Sequence, residues 1–439
     1  MKINEHKIKK YLFGGVMLVL LLPLIQWKTK LFPIAELNGD IKKKDKVWFT
    51  KENWLSLKYQ DSAEAWFNEE FGFRNTCVRL RNQVEFSLYN IAKAKEVVIG
   101  KEGYFYEKNY ILAYTGKDYI GDEAIADRAM KLKKLQDTLE KIHITLVIAL
   151  APGKASFYPQ YIPDEFGAAS TKTNYLALSA ALKKNSTNVI DMNKWFLQMR
   201  ETAKYPLFPK TGIHWSRYGT VLAIDSIIKY IEKKRNIDLP SVITEKFVSR
   251  NYALNPPDDD LAKGMNLMFE PTPLEMGYPI YHIEDSAGKV RPTMISVADS
   301  YFMALFDQGI SPKAFGKIDF WYYNQEVYHD SLENKTLVAD VELPDELIKH
   351  DVLMIMATEA NLSGIGWGYI NEAYDYFFAN KSLSEYDKKV KYWETKIIKE
   401  KEWFMDVQKK AIENKVPLDT MIRRDAVWMV DDEMKRNAK

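Results

Sequence analysis

The chain has 439 residues, which is enough for one large domain with additions or for two domains. Its 62 basic residues nearly balance its 60 acidic residues, so the charge gives no reason to expect a nucleic-acid partner or a strongly acidic ligand. Cys77 is the only cysteine, and none of the six histidines forms an HExxH pair. An intramolecular disulfide and a cysteine-rich metal site are therefore excluded, and we expect neither a metal nor a cofactor.

Residues 11–27 form an uncharged, mostly apolar run that follows four lysines. At 1.5 Å per residue a helix of this run would be roughly 25 Å long, enough for a thin bacterial bilayer. No small-x-small cleavage site follows the run, which favours an uncleaved signal-anchor over a signal peptide. The preceding lysines predict a cytoplasmic N-terminus, a single pass through the inner membrane, and a periplasmic location for the rest of the chain.

Composition divides the chain into segments. Residues 1–30 are predicted to form the cytoplasmic tip and anchor helix, residues 31–46 a linker, and residues 47–380 an α/β domain. An insertion at about 234–291 interrupts this domain, and its length predicts a lid or a rim beside a site. Residues 381–439 are predicted to be a charged helical tail that either packs on the domain or meets a partner.

Alternating strands and helices define the α/β domain. The apolar run 144–150 predicts a buried parallel strand, and the loop lysine that follows, Lys154, is expected to be exposed. Residues 110–114, 318–323 and 352–357 are also predicted to be strands. This order of elements predicts a mostly parallel sheet inside a three-layer α/β sandwich.

The insertion contains three consecutive aspartates at 258–260. Such a cluster suggests a cation site, but the ligand spacing of an EF-hand is absent. We therefore expect a solvated loop.

Residues 292–305, PTMISVADSYFMAL, predict a strand, a sharp turn and a helix. The turn places Ser300 at the carboxyl end of a parallel strand and beside the unpaired N–H groups of a helix N-terminus. A serine there can attack a carbonyl carbon while N–H groups stabilise the oxyanion. The alternative is structural, because Asp299 and Ser300 are both ordinary helix N-cap residues.

A second turn carries a histidine. Residues 210–220 read KTGIHWSRYGT, which places His214 just before an apolar helix and beside Trp215. A lone histidine is more often structural than catalytic. Together with Ser300 in one α/β domain, however, its imidazole can remove the hydroxyl proton and return it to the leaving group.

These two blocks carry a family resemblance. Residues 297–301, VADSY, resemble the nucleophile block of SGNH/GDSL-type esterases, and residues 212–216, GIHWS, resemble their histidine block. The order of histidine before serine is similar to the SGNH-like domain of the alginate O-acetyltransferase family. The resemblance covers roughly residues 37–376. Three further blocks agree with it: FGFRNTCVRLRNQVEFSLYN (71–90), VVIGKEGYFY (97–106) and LVIALAPGKASFYPQYIP (146–163).

One departure concerns the acid of the triad. The family writes its histidine block as Asp-x-His-Trp, whereas this chain has Gly212 two residues before His214. Asp191, after a short strand, and Asp299 are candidates to orient the ring instead. Otherwise the site works as a Ser-His dyad, or its activity is reduced or lost.

The resemblance implies transfer of an acetyl group to a hydroxyl of a cell-envelope or exported polysaccharide, with a multi-pass membrane acyltransferase as acyl donor partner. Ser300 would be the nucleophile and His214 the general base and acid. Asn361, the N–H of Tyr301 and Trp215 are expected to contact the oxyanion or the substrate. A carbohydrate acetyl-esterase and a catalytically impaired glycan-binding or assembly subunit remain alternatives.

Overall fold

The computed structural model describes residues 5–39, 47–284, 287–379 and 384–437. Residues 40–46 of the predicted linker and the predicted border at 380/381 lie outside this part of the chain. Contacts divide the chain into two compact units. The first comprises residues 1–99 and 260–271, and the second comprises residues 100–259 and 272–439.

In chain order the helices are α1 (Glu5–Thr29), α2 (Lys51–Leu55), α3 (Lys58–Glu70), α4 (Arg74–Tyr89), α5 (Lys108–Tyr114), α6 (Asp122–Lys141), α7 (Lys154–Phe157), α8 (Asn174–Lys184), α9 (Met192–Met199), α10 (Arg217–Arg235), α11 (Asp260–Gly264), α12 (Ser300–Asp307), α13 (Ile310–Lys313), α14 (Leu343–Leu347), α15 (Tyr369–Ala379), α16 (Glu385–Lys399), α17 (Lys401–Asn414) and α18 (Leu418–Asn437). The strands are β1 (Val97–Ile99), β2 (Phe105–Glu107), β3 (Thr145–Ala151), β4 (Val189–Asp191), β5 (Val242–Arg250), β6 (Met276–Ile283), β7 (Thr293–Ala298), β8 (Lys317–Tyr322), β9 (Glu326–His329), β10 (Lys335–Leu337) and β11 (Val352–Thr358).

The first unit begins with α1, which is longer than the uncharged run alone. Its segment His6–Thr29 has 24 residues and a mean hydropathy of 1.9. A helix of that length spans roughly 36 Å, which exceeds the hydrocarbon core of a bilayer at about 30 Å. The side chain of Gln26 exchanges two hydrogen bonds with the backbone of Phe32, which ties down the chain leaving the helix. α1 therefore has the length and composition of a membrane span.

The second unit is built on a mixed sheet with strand order β10-β9-β8-β7-β11-β3-β4 among the described residues. The run from β8 to β4 is parallel, and β9 and β10 are antiparallel additions at one edge. Every residue of β11 is buried, as expected for a parallel strand that is covered on both faces. The prediction of a mostly parallel sheet is confirmed.

Side chains of successive residues in a strand point to opposite faces of the sheet. Leu146, Ile148 and Leu150 of β3 share one apolar cluster with residues of α6, α8 and α15. A second group of helices also lies against the sheet: α12 contacts β11, and α10 packs against α12. Helices therefore cover the sheet, and the chain has the predicted three-layer sandwich.

One predicted strand is wrong. Residues 110–114 lie in helix α5, which buries Tyr110, Ile111 and Ala113. A short run rich in aromatic and apolar residues fits a strand and a buried helix turn equally well, so periodicity alone did not separate them.

In the insertion, β5 and β6 form an antiparallel pair.

The charged tail folds into helices α16, α17 and α18 around a small core that includes Val390, Ile397 and Val430. The guanidinium of Arg128 on α6 donates to Asp419 at 3.0 Å and to the carbonyl of Leu362 at 2.9 Å. Of the two alternatives for the tail, the structure shows packing on the α/β unit.

Candidate active site

The serine turn lies at the centre of the sheet's carboxyl edge. β7 ends at Ala298, between β8 and β11, and α12 begins at Ser300. Asp299 caps the helix, because its side chain accepts a hydrogen bond from the N–H of Tyr301 at 3.1 Å. The predicted strand, turn and helix are present, and they leave Ser300 only partly buried at the helix N-terminus. Ser300 is therefore not enclosed in the core of the sheet.

The histidine loop brings an imidazole to this serine. Nε2 of His214 lies 3.0 Å from Oγ of Ser300, although the two residues are 86 positions apart. The loop ends at the N-terminus of α10, where Ser216 caps the helix by accepting from the N–H of Gly219. The two residues that the sequence analysis paired are thus within hydrogen-bonding distance.

Tyr301 and Trp215 pack against each other and support the histidine loop. The hydroxyl of Tyr301 donates to the carbonyl of Ile213 at 2.6 Å, and its ring centre lies 4.9 Å from that of His214. Trp215 is fully buried and packs against Tyr301 and Phe196. Its buried ring supports the loop, and a contact between Trp215 and substrate stays a prediction.

Lys154 is not the exposed loop lysine that was expected. It is fully buried at the start of α7, and its ammonium donates to the carbonyls of Gly212 at 2.6 Å and Lys210 at 2.9 Å. A buried charge requires partners of this kind. Lys154 therefore fastens the histidine loop to the carboxyl end of β3.

Asp299 and Asn361 form a buried clamp between β7 and β11. One carboxylate oxygen of Asp299 accepts from the N–H of Thr358 at 2.8 Å and from Nδ2 of Asn361 at 2.9 Å, and the other accepts from Tyr301. Nδ2 of Asn361 also donates to Thr358 Oγ1 at 3.1 Å. The N–H of Tyr301 and the amide of Asn361, the two expected oxyanion donors, are thus directed at neighbouring groups, and Asp299 is held by this clamp and not by His214.

Asp191 lies elsewhere on the sheet edge. β4 is three strands from β7, which corresponds to about 14 Å at the usual strand spacing. The carboxylate of Asp191 accepts from the N–H of Lys194 at 2.9 Å and from the hydroxyl of Tyr175 at 3.0 Å. These contacts cap α9, and the structure does not bring Asp191 to His214.

We expect Asp299→Asn to lower the free energy of unfolding by about 2–4 kcal/mol, because an amide cannot accept from all three donors and leaves buried N–H groups unpaired. Urea unfolding of the full-length chain in mild detergent measures the change. Asp307→Asn, at the exposed end of the same helix, is the matched control and should cost less than about 1 kcal/mol. Equal costs for the two variants would show that the clamp does not stabilise the fold.

Tyr323 is a site residue that the sequence analysis missed. It follows β8, its side chain lies close enough to Ser300 to interact with the serine hydroxyl, and burial raises the pKa of its phenol well above the ordinary value. The phenol is therefore a neutral donor at neutral pH. Its backbone has a left-handed φ of 49°, held by an N–H bond to the carbonyl of Ala298 at 2.9 Å. The only signal in the sequence was its place after a strand that neighbours β7.

Two buried acids lie near the same end of the sheet. Burial raises the pKa of Glu359 to about 7, and the negative charge of nearby Asp118 contributes. Burial likewise raises the pKa of Asp118 to about 7. Glu359 follows β11, and its side chain packs directly against Gly153. A Cβ added at residue 153 would lie 2.3 Å from Oε2 of Glu359, so the glycine leaves room for this carboxyl group.

This pair predicts a pH dependence of stability. The folded state holds these protons up to about pH 7, whereas an unfolded glutamate releases its proton near pH 4.3, at about its reference pKa. Because the folded state binds more protons in that window, the free energy of unfolding should fall as pH rises from about 4 to 7. Glu359→Gln should reduce this slope by up to about 1.4 kcal/mol per pH unit.

Urea unfolding of the full-length chain between pH 4 and 8 measures this slope. The exposed Glu165→Gln is the control and should keep the wild-type slope. An unchanged slope in Glu359→Gln would contradict the assignment.

A further polar cluster lies away from Ser300. Ligand atoms of Asp319, Glu346 and His350 lie within 4.8 Å of one another, a spacing that suits a metal ion. Lys317 and His329 also contact Asp319, at 2.8 Å and 2.7 Å. Burial would raise the pKa of Asp319, but the hydrogen bonds from His350, Lys317 and His329 outweigh it and hold that pKa below its usual range. The ammonium of Lys317 already supplies the positive charge that a cation would bring.

Part of the chain is similar to proteins that are already known. Residues 97–292 match the family described as the SGNH hydrolase-like domain of the acetyltransferase AlgX. The matched segment includes the histidine loop and ends before Ser300. The O-acetyltransferase domain of Pseudomonas putida AlgJ is a structural neighbour with a TM-score of 0.43 and 17% sequence identity, covering 64% of this chain and 99% of that one.

Two curated relatives are both described as probable alginate O-acetylase AlgJ. The protein of Pseudomonas syringae pv. tomato is 26% identical over 209 residues, which cover 47% of this chain and 50% of the relative. That of Pseudomonas aeruginosa is 25% identical over 239 residues, 54% of each chain. The chain thus spans about half the length of these relatives. The family resemblance is confirmed over residues 97–292, which include the histidine block and match the SGNH hydrolase-like domain of the acetyltransferase AlgX.

Proposed function

We propose that this chain is a membrane-anchored O-acetyltransferase that modifies a cell-envelope or exported polysaccharide through an acetyl-serine intermediate. The observation that carries the proposal is the 3.0 Å contact between Nε2 of His214 and Oγ of Ser300 at the carboxyl edge of the sheet. The acetyl group and the polysaccharide come from the names of the curated relatives, which are probable alginate O-acetylases.

In the first half-reaction, Oγ of Ser300 attacks the carbonyl carbon of the acetyl donor while Nε2 of His214 takes the hydroxyl proton. The bond between the carbonyl carbon and the leaving group then breaks. His214 gives the proton to the leaving group, and the acetyl group stays on Ser300.

In the second half-reaction, a sugar hydroxyl takes the place of the leaving group. His214 removes its proton, the alkoxide attacks the acetyl carbon, and the ester bond to Ser300 breaks. The proton returns to Oγ, which regenerates the enzyme. Water in place of the sugar would give hydrolysis, so transfer requires a site that favours the glycan over water.

Two donors beside the nucleophile are suited to the oxyanion. The N–H of Ser300 is the first of α12, where the helix dipole favours negative charge. The phenol of Tyr323, which interacts with Ser300, is the second. They replace the N–H of Tyr301 and the amide of Asn361, which serve the Asp299 clamp.

The location of the site follows from α1. Lysines 7, 9 and 10 precede the apolar part of the helix, which favours a cytoplasmic N-terminus and a periplasmic catalytic unit held at the inner membrane. An acetyl group made in the cytoplasm must cross that membrane to reach Ser300. A multi-pass membrane acyltransferase is therefore the proposed acyl donor partner.

Mass spectrometry of the full-length chain in detergent, after incubation with p-nitrophenyl acetate, tests the nucleophile. We expect one acetyl group on the peptide that contains Ser300. Adding oligomannuronate should discharge this adduct and yield acetylated sugar.

The other outcomes select the alternatives. Release of free acetate at the same rate with and without the sugar would identify an esterase. A folded chain that forms no adduct and releases no acetate, yet binds the oligosaccharide, would instead indicate a glycan-binding subunit and refute the proposal.

A further inference from the structure

The segment 256–259 of the insertion lies against the histidine loop. A Cβ added at Gly212 would lie 2.6 Å from the carbonyl oxygen of Pro257 and 3.0 Å from the carbonyl carbon of Asp258. Real Cβ atoms do not approach backbone so closely, so this segment occupies the place of the side chain that Gly212 lacks. An aspartate at position 212 would require the segment to move.

Hydrogen bonds fix the segment on both sides of His214. Before the histidine, the hydroxyl of Thr211 donates to the carbonyl of Asp258 at 3.3 Å. After it, the guanidinium of Arg217 donates to the carbonyl of Pro256 at 3.0 Å, and its backbone N–H donates to Oδ1 of Asp258 at 3.3 Å. The segment and the histidine loop are therefore held in register.

This segment is not the solvated loop that the aspartate run predicted. Asp258 is fully buried and Asp259 is only 4% exposed. Burying an ionised carboxylate is costly unless hydrogen bonds or an opposite charge compensate for it. Two buried carboxyl groups beside a histidine loop therefore require a structural or functional reason.

The two aspartates differ in their surroundings. Asp258 faces the N-terminus of α10 through the N–H of Arg217, and burial raises the pKa of its carboxyl to about 7. Asp259 follows directly. Standard bond lengths place its Cα within about 5.5 Å of the position that a Cβ on residue 212 would occupy. Its carboxylate can therefore reach the volume that an aspartate at position 212 would fill.

We propose that Asp259 is the positioning residue for His214, accepting the hydrogen bond from Nδ1–H and thereby supplying from the insertion the acid that Gly212 lacks. The carboxylate would fix the Nδ1–H tautomer, leaving Nε2 free to accept the proton of Ser300, and would stabilise the imidazolium that forms. With the carboxylate of Asp259 in this role, position 212 needs no acidic side chain and can be glycine. The proposal rests on the proposed function for its catalytic role, but not for the hydrogen bond itself.

Nitrogen-15 and proton NMR of the full-length, histidine-labelled chain in micelles tests the hydrogen bond without any activity. We expect a downfield Nδ1 proton for His214, assigned by its absence in His214→Gln. Asp259→Asn should remove or shift this signal, and Asp258→Asn should leave it in place. A signal that is unchanged in Asp259→Asn, or equally changed in both variants, would overturn the proposal.

Kinetics supply the second readout. Asp259→Asn should lower the rate of Ser300 acetylation by roughly 10²- to 10⁴-fold with little change in KM, and Asp259→Glu should recover part of it. A rate for Asp259→Asn within threefold of wild type would count against the proposal. If Asp259→Asn does not fold, Asp259→Glu must still shift the Nδ1 proton, and an unshifted signal overturns the proposal. A wild type that is not acetylated would refute the proposed function, while the NMR result would still decide the role of Asp259.

Discussion

Replacing Ser300 with alanine is expected to abolish the acetyl-enzyme and to slow acetyl transfer by roughly 10⁴- to 10⁶-fold. The hydroxyl is the atom that bonds to the acetyl carbon, and no other group at the turn can take its place. The fold should tolerate the change, because Ser300 is only partly buried and the clamp of Asp299 does not use its Oγ. Mass spectrometry after incubation with p-nitrophenyl acetate, together with the rate of sugar acetylation, measures the loss.

Ser296 offers a matched control on the strand that leads to the turn. It is fully buried, and its hydroxyl has no hydrogen-bond partner among the described residues. Ser296→Ala should therefore keep both the adduct and the transfer rate. An acetyl adduct that persists in Ser300→Ala would place the nucleophile elsewhere and contradict the mechanism.

The serine turn was predictable because its signal is local. In residues 292–305 a run of apolar and β-branched residues changes within two positions to a helical pattern, and the structure has β7 and α12 there. The approach of His214 to Ser300 could be predicted as well, since both follow from turns at the same edge of a parallel sheet. The family motifs then paired two residues that lie 86 positions apart.

What the sequence did not reveal depends on long-range contacts. Lys154 has the appearance of a surface residue, and only the carbonyls of Lys210 and Gly212 explain why its charge is buried. Asp258 and Asp259 belong to a polar run in an insertion, a pattern typical of solvated loops. Their burial arises from packing against a loop more than 40 positions earlier. Such pairings leave no periodic pattern in one sequence.

The oxyanion donors show a third limit. Asn361 and the N–H of Tyr301 were placed at the correct edge of the sheet, yet both donate to Asp299. A sequence can indicate which groups gather at an edge, but it cannot assign each donor to its acceptor. Tyr323 was overlooked for the converse reason: a tyrosine after a strand is ordinary until its hydroxyl is found beside Ser300.

Replacing His214 with glutamine is expected to reduce acetyl transfer by at least about 10⁴-fold, because an amide can accept a hydrogen bond but cannot take up a proton. Acetylation of Ser300 and discharge to the sugar should both slow, since the same imidazole serves both half-reactions. His282→Gln is the matched control, because His282 is exposed on β6 and bonded to Glu245 at 3.0 Å. It should leave both rates unchanged.

Combining His214→Gln with Ser300→Ala distinguishes a shared role from independent ones. If the imidazole acts only by moving the proton of Oγ, it has no function once Oγ is absent, and the double variant should be no slower than Ser300→Ala alone. A further loss in the double variant would mean that His214 also acts on the donor or the sugar without Ser300, either by binding it or by removing the proton of the sugar hydroxyl. Discharge that stays fast in His214→Gln would instead show that another base activates the acceptor, so that the two half-reactions do not share one imidazole.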